Sequence, residues 1–215
     1  MLSILEAISE AVAVGDSVES VEHVKKLTQK ALDDGYEVRD ILDNGLIDGM
    51  NTIGKRWVNG DAYIPEVIFS AKIMNAGMEV IHNLIVKSDI KPIGKAVVGT
   101  VKGDVHDIGK TLVGMMLQAF GFEVYDLGVD IAPEVFVEAV KAHEVDLLCM
   151  SALLTTTMPQ MANTIEAVKK EGLVVKTLIG GAPANQEYAN SIGADGYAPD
   201  AMSAVDKAKQ LLRVG

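Results

Sequence analysis

Apolar residues in the first 88 positions recur at helical spacing. Leu2, Leu5, Ile8 and Val12 form one series, and Val18, Val21, Val24, Leu27 and Leu32 form the next. Residues three and four apart share one face of a helix, so this period predicts amphipathic helices rather than strands. Gly15-Asp16, Asp34-Gly35-Tyr36 and Asn59-Gly60-Asp61 interrupt the pattern. These turn-forming residues divide the stretch into about four or five helices joined by short turns, a small bundle. The polar segment from Lys87 to Gly94, with Pro92 near its end, predicts a linker between a domain over 1–88 and another over 94–215.

Past Lys95 the period changes. Short apolar runs, AVVGTV (96–101), EVYDLG (123–128), VDLLCMSA (145–152), VVKTLIGG (174–181) and a brief DGYAP (195–199), alternate with amphipathic segments that begin near 109, 133, 157, 186 and 200. Strands that are apolar almost throughout, each followed by a helix, predict an α/β unit: a doubly wound, five-stranded parallel sheet of flavodoxin or Rossmann-like type, covered on both faces. Ligands of such sheets bind beyond the carboxyl ends of the strands, where the winding reverses. Three loops therefore become candidates for chemistry: GDVHDIG after the first strand, SALLTTT after the third and GGAP after the fourth.

Charge narrows the partners. A net charge of -11 repels polyphosphate and leaves no basic stripe, so neither nucleic acid nor an anionic membrane surface is an expected partner. The segment MLSILEAISEAVAVGDSVES has no basic leader region or small-residue cleavage site, and no apolar run approaches the roughly 20 residues that span a bilayer. A cytoplasmic location is expected. The one cysteine, Cys149, can form no internal disulfide and gives no metal-binding spacing, which fits a reducing compartment. It is expected to be a small buried apolar residue.

The first candidate loop, Gly103 to Thr111, ends in Gly-Lys-Thr like a phosphate-binding loop. Five residues rather than four separate Gly103 from Gly109, and two of the five are aspartates, which would oppose a phosphate. The loop does offer an imidazole, His106, with a carboxylate, Asp104, two residues before it. A carboxylate that accepts one ring N–H fixes the tautomer and makes the other nitrogen a better metal ligand. Read alone, the same residues also fit a solvent-facing loop histidine near two aspartates. His23, His82 and His143 lie in helical segments without partners at ligand spacing, and Met158 and Met161 read as core filler.

Asp104-x-His106-x-x-Gly109, followed by Ser151-x-Leu153 and Gly180-Gly181, resembles the signature of cobalamin-binding domains, each part at the end of the expected strand. The resemblance implies a cofactor, cobalamin or a related corrinoid, with His106 replacing the cofactor's own base as lower cobalt ligand and the displaced nucleotide tail in the crevice of the sheet. It implies Asp104 hydrogen-bonded to His106, and Thr157 as a third, hydroxyl member where methyl-carrying relatives have serine. Gly109, Ser151, Leu153, Thr155, Gly180 and Gly181 are the implied cofactor contacts. A second stretch, Trp57 to Ile68, resembles the helical cap over the upper corrin face in methionine synthase and small methyltransferase corrinoid proteins, with Trp57, Ile64 and Val67 as its apolar contacts. Without the resemblance, Trp57 reads as bundle core.

The resemblance extends over essentially the whole chain. It implies a carrier rather than a complete enzyme: a corrinoid protein that takes a methyl group on cobalt from a substrate-specific methyltransferase and gives it to a second methyltransferase serving a thiol or tetrahydrofolate, with a reductive activase as further partner. Two alternatives share the cobalamin loops. A B12-dependent sensor normally adds a DNA-binding or signalling module, and the small subunit of an adenosylcobalamin mutase normally lacks the cap.

Overall fold

The computed structural model describes residues 2–14, 17–87 and 91–214. The expected break at Gly15-Asp16 and the centre of the expected linker, Ser88-Asp89-Ile90, lie outside these residues. The chain forms two compact units, Met1–Lys91 and Pro92–Gly215.

The first unit is helical: α1 (Ile4–Ala13), α2 (Val18–Asp33), α3 (Val38–Ile41), a π-helical segment (Leu42–Ile47), α4 (Asp48–Val58) and α5 (Ile64–Lys87). Ser3 starts α1 with a reciprocal cap, in which its hydroxyl accepts from the Glu6 amide and its own amide donates to the Glu6 carboxylate, satisfying donors a helix start would leave free. The apolar series holds in part. Ile8, Val12 and Val24 are buried, whereas Leu2 and Val18, at the starts of their series, are exposed. The π segment was not foreseen. It runs directly into α4 and, with α4, packs against α1.

That packing depends on small residues. A Cβ at Gly49 would lie 2.6 Å from both the Ser9 carbonyl oxygen and Val12 Cβ. Glycine to alanine inside a helix ordinarily gains up to about 1 kcal/mol, but here the obstacle includes backbone that cannot swing aside. Gly49→Ala should therefore lower stability by about 1–3 kcal/mol, the usual cost of overpacking, measured as a shift of the urea midpoint. An unchanged or raised midpoint would show that α1 and α4 separate freely.

The second unit alternates strand and helix: β1 (Gly94–Thr100), α6 (Ile108–Ala119), β2 (Phe122–Asp126), α7 (Pro133–His143), β3 (Leu147–Ser151), α8 (Pro159–Lys170), β4 (Lys176–Gly180), α9 (Gln186–Ile192), β5 (Gly196–Ala198) and α10 (Ala201–Leu212). All pairings are parallel, in the order β2-β1-β3-β4-β5, the doubly wound arrangement expected. One helix begins later than its pattern suggested: residues 154–158 form turns, and α8 starts at Pro159. Proline suits a first helical turn, where its missing N–H is not needed.

Along the strands, alternate residues face opposite layers. Val97, Leu148, Met150 and Ile179 join Phe136, Met161 and Ile165 in a core under α7, α8 and α9. Val98, Cys149 and Leu178 belong to the other face, with α6 and α10. The register sets Thr100 opposite Ser151, Ser151 opposite Gly180 and Gly180 opposite Ala198, one row across the carboxyl end of the sheet. Since β1 is flanked by β2 on one side and β3 on the other, the winding reverses between β1 and β3, and a crevice opens there.

Candidate functional site

The loops after β1 and β3 meet around one carboxylate. Asp104 is fully buried. Its Oδ1 accepts from His106 Nδ1 at 2.7 Å and from the His106 amide at 3.1 Å. Its Oδ2 accepts from the amides of Leu153 at 2.8 Å and Leu154 at 3.2 Å and from the Thr157 hydroxyl at 2.7 Å. Burial pushes the carboxyl group's pKa up, but the bonds from His106, Thr157 and Leu153 outweigh it and hold Asp104 well below the usual carboxylate range. An ionised carboxylate can only accept. The contact therefore puts a proton on Nδ1 and, in the neutral imidazole, leaves Nε2 with its lone pair. The His106 side chain remains 48% exposed.

Three further groups fix this loop, and two of them, Thr100 and Asp130, were not singled out in the sequence. Thr100, buried at the end of β1, donates its hydroxyl to the His106 carbonyl at 2.8 Å. Asp130, in the loop after β2, accepts from the Gly103 amide at 2.7 Å. Lys110, in the first turn of α6, is buried and paired with Asp126 at 2.6 Å. The lysine of the apparent phosphate loop is thus committed to a carboxylate, in keeping with the rejection of that motif.

A cavity of about 530 Å³ lies on the α6 and α10 side of the sheet, lined by His106, Ile108, Gly109, Ser151, Leu153, Gly180 and Gly181 among others. Of the residues expected at a cofactor, Thr155 is exposed and lies outside this lining. Gly181 has a reason of its own to be glycine: its φ is +116° and a Cβ would stand 1.9 Å from the Ala152 carbonyl oxygen, so the backbones of the two loops, rather than a ligand, exclude a side chain there. Gly109 is the reverse case, since a Cβ there would meet nothing within 4 Å. Cys149 is buried in the wall, and desolvation pushes its thiol pKa up to about 12, so at neutral pH it acts as a small apolar residue.

Comparison with known proteins bears on the same segments. A family model described as a B12 binding domain matches residues 94–206, and a second of the same description matches residues 4–82. A corrinoid protein of Desulfitobacterium hafniense (strain Y51) is 39% identical over 217 residues, covering 99% of both chains. The chain belongs to the family of small corrinoid proteins. Dimethylamine corrinoid protein 1 of Methanosarcina acetivorans is 47% identical over 176 residues, covering 80% of this chain and 83% of that one. Among solved structures, the methanol:cobalamin methyltransferase complex MtaBC of Methanosarcina barkeri contains a chain that matches with a TM-score of 0.87 at 28% identity, over 98% of this chain and 80% of that one.

The cofactor of this corrinoid protein is a corrinoid, and the donor set fits one. Among the described residues no three His, Cys, Asp or Glu side chains converge as a cage for a bare ion, which zinc, for example, requires. One imidazole with a free nitrogen suits a metal that brings its other ligands in a macrocycle. Around that imidazole, Val105, Ile108, Leu153 and Leu154 are all exposed, Ile108 by 83%. Large apolar side chains left in water on loops otherwise so tightly bonded suit the edge and face of a large ring. The open space beside Gly109 adds room at the mouth of the cavity.

In the helical unit, Trp57 is half-buried, Ile64 is 52% exposed and Val67 is buried. Tyr63, not singled out in the sequence, is more exposed than any of them. Arg56 ties this turn together by donating to the carbonyls of Ala13 and Asp61 and to Glu66, whose other oxygen accepts from the Tyr63 amide. Of the other histidines, His23 and His82 are exposed on the helical unit, and His143 stacks on Tyr125 with 3.7 Å between ring centroids. Among the described residues no helix is long and apolar enough to cross a membrane.

Proposed function

We propose that the chain is a methyl carrier that works between two methyltransferases, with His106 as lower ligand of the corrinoid cobalt. The observation that carries this reading is the Thr157–Asp104–His106 chain of hydrogen bonds, in which a buried carboxylate presents an imidazole with its Nε2 lone pair free. A bound corrinoid supplies a cobalt that accepts a methyl group and gives it up again. The protein's part is to orient and tune: Asp104 holds the imidazole and keeps a proton on Nδ1, Thr157 holds Asp104, and Val105, Ile108 and Leu153 would shield the bound corrinoid from water. Gly109, Ser151, Thr155, Gly180 and Gly181 are proposed as contacts of the remaining cofactor, and Trp57, Ile64 and Val67 as the apolar contacts supplied by the helical unit.

The relatives support a donor class. The dimethylamine and trimethylamine corrinoid proteins among them, and the methanol complex, point to a small methylated amine or alcohol, delivered by a substrate-specific methyltransferase. A second methyltransferase would move the group to a thiol or tetrahydrofolate, and a reductive activase would restore cobalt after accidental oxidation.

The test is reconstitution. The purified chain mixed with hydroxocobalamin should hold one corrinoid after gel filtration. When reduced, it should take up one methyl group from dimethylamine or methanol only in the presence of the matching methyltransferase, followed by the visible spectrum and by labelled methyl. Stoichiometric corrinoid binding without methyl uptake from any member of a panel of such enzymes would favour a B12-dependent sensor instead.

A further inference from the structure

We infer that Asp130 is a positioning residue for His106, acting from the loop between β2 and α7; the inference rests on the reading of His106 as cobalt ligand. Its carboxylate accepts from the Gly103 amide at 2.7 Å, and its own amide donates to the Asp104 carbonyl at 2.9 Å. These two bonds bracket the peptide that carries Asp104. An aspartate this close to a helix start would ordinarily be a cap, but the cap of α7 is Ala132, which makes no side-chain bond, and Asp130 turns away to Gly103.

The backbone of Asp130 is held in the left-handed region, with φ of +58°. A non-glycine residue sits there at some cost, least for Asp and Asn. Here the conformation lets one residue aim both its amide and its carboxylate at the same loop. Immediately after it, Ile131 bridges Val101 and donates to the Thr100 carbonyl, which fixes the register of the two segments. Thr100 in turn donates to the His106 carbonyl. The segment 103–106 is therefore gripped at Gly103, Asp104 and His106, with the side chains of Asp104 and His106 between the grips. Strained residues at sites of this kind serve preorganisation, and the partners behind a metal ligand govern its orientation and basicity.

Asp130→Gly tests this, because glycine reaches the same backbone conformation without cost and removes only the carboxylate. Asp130→Asn keeps an acceptor oxygen for Gly103. Long-range proton–nitrogen spectra of the labelled, cofactor-free chain at about pH 8.5, above the histidine reference value, report the His106 tautomer directly. The ratio of the Nδ1–H to the Nε2–H form should fall about tenfold in Asp130→Gly, with a similar loss of affinity for hydroxocobalamin, the lower end of what such supporting partners contribute. Asp130→Asn should restore both to near the unaltered values. A lower melting temperature with an unchanged tautomer ratio and affinity would make Asp130 merely structural and overturn the inference. The tautomer readout needs no cobalt, so a failure of His106 to ligate the metal would be recognised separately, as missing coupling from isotope-labelled histidine nitrogen in the electron paramagnetic resonance spectrum of the unaltered, Co(II)-loaded protein.

Discussion

Replacing His106 with alanine should abolish the superhyperfine coupling from isotope-labelled histidine nitrogen in the electron paramagnetic resonance spectrum of the Co(II)-loaded protein and weaken corrinoid binding at least about tenfold, the lower end of what even supporting partners of a metal ligand contribute. The expectation follows from the geometry of a single imidazole whose Nδ1 is engaged by Asp104 at 2.7 Å, which leaves one nitrogen for the metal. The fold should survive. The side chain is 48% exposed, and Asp104 would keep its bonds from Leu153, Leu154, Thr157 and the His106 amide. Loss of one charge-assisted bond from such a set costs about 1.5–3 kcal/mol at most. Retention of the labelled histidine coupling in His106→Ala would remove His106 from the metal, whatever happened to affinity. A parallel substitution of His143, stacked on Tyr125, controls for nitrogen from elsewhere and should leave the spectrum unaltered.

Much of this was legible because its signals are local. The change of period near Lys95, the apolar strands and the Asp-x-His spacing each depend on residues close in sequence, and the winding rule then directed attention to the loops after β1 and β3. The same rule hid the end of β2 and the loop after it, from which Asp126 and Asp130 secure α6 and Gly103. Little that is local distinguishes those aspartates from solvated turn residues, since the partners they secure, Lys110 and Gly103, lie 16 and 27 positions away. Leu154 was missed for another reason: it serves through its backbone amide, which any residue carries. The π segment escaped because a helical apolar period tolerates an extra residue per turn over so short a run. The glycines were visible but for a partly different cause, as Gly181 answers to the Ala152 carbonyl.

Asp104→Asn should damage both the stability and the metal-binding readiness of the site, and the two effects have one origin. Both carboxylate oxygens face donors: His106 Nδ1 and amide on one side, the Leu153 and Leu154 amides and the Thr157 hydroxyl on the other. An amide side chain must point its NH₂ group at one of these sets. Toward Leu153 it meets two backbone N–H groups that cannot reverse, although Thr157 can redirect its proton to the Leu154 carbonyl 2.9 Å away. Toward His106 it meets one fixed N–H and a ring nitrogen that can become an acceptor by moving its proton to Nε2. The second choice sets fewer fixed donors against the NH₂, so the variant should favour the Nε2–H tautomer, which has no lone pair for cobalt, and nitrogen coupling should weaken accordingly. The unpaired donors and lost charge should cost about 2–4 kcal/mol at pH 7. The pH dependence gives the sign. The folded-state pKa of Asp104 is held below its unfolded value, so the carboxylate's contribution is complete above the unfolded value of about 3.9 and is lost as pH falls through the folded value. Asparagine does not titrate. The difference in urea stability between the unaltered chain and Asp104→Asn should therefore shrink progressively below about pH 4. A difference that stays the same down to the pH of acid unfolding would mean that the fold does not hold the carboxyl group below its unfolded value, and one that grows as pH falls would mean that the carboxyl group is protonated in the folded protein, with which the assignment of the imidazole proton to Nδ1 would fall.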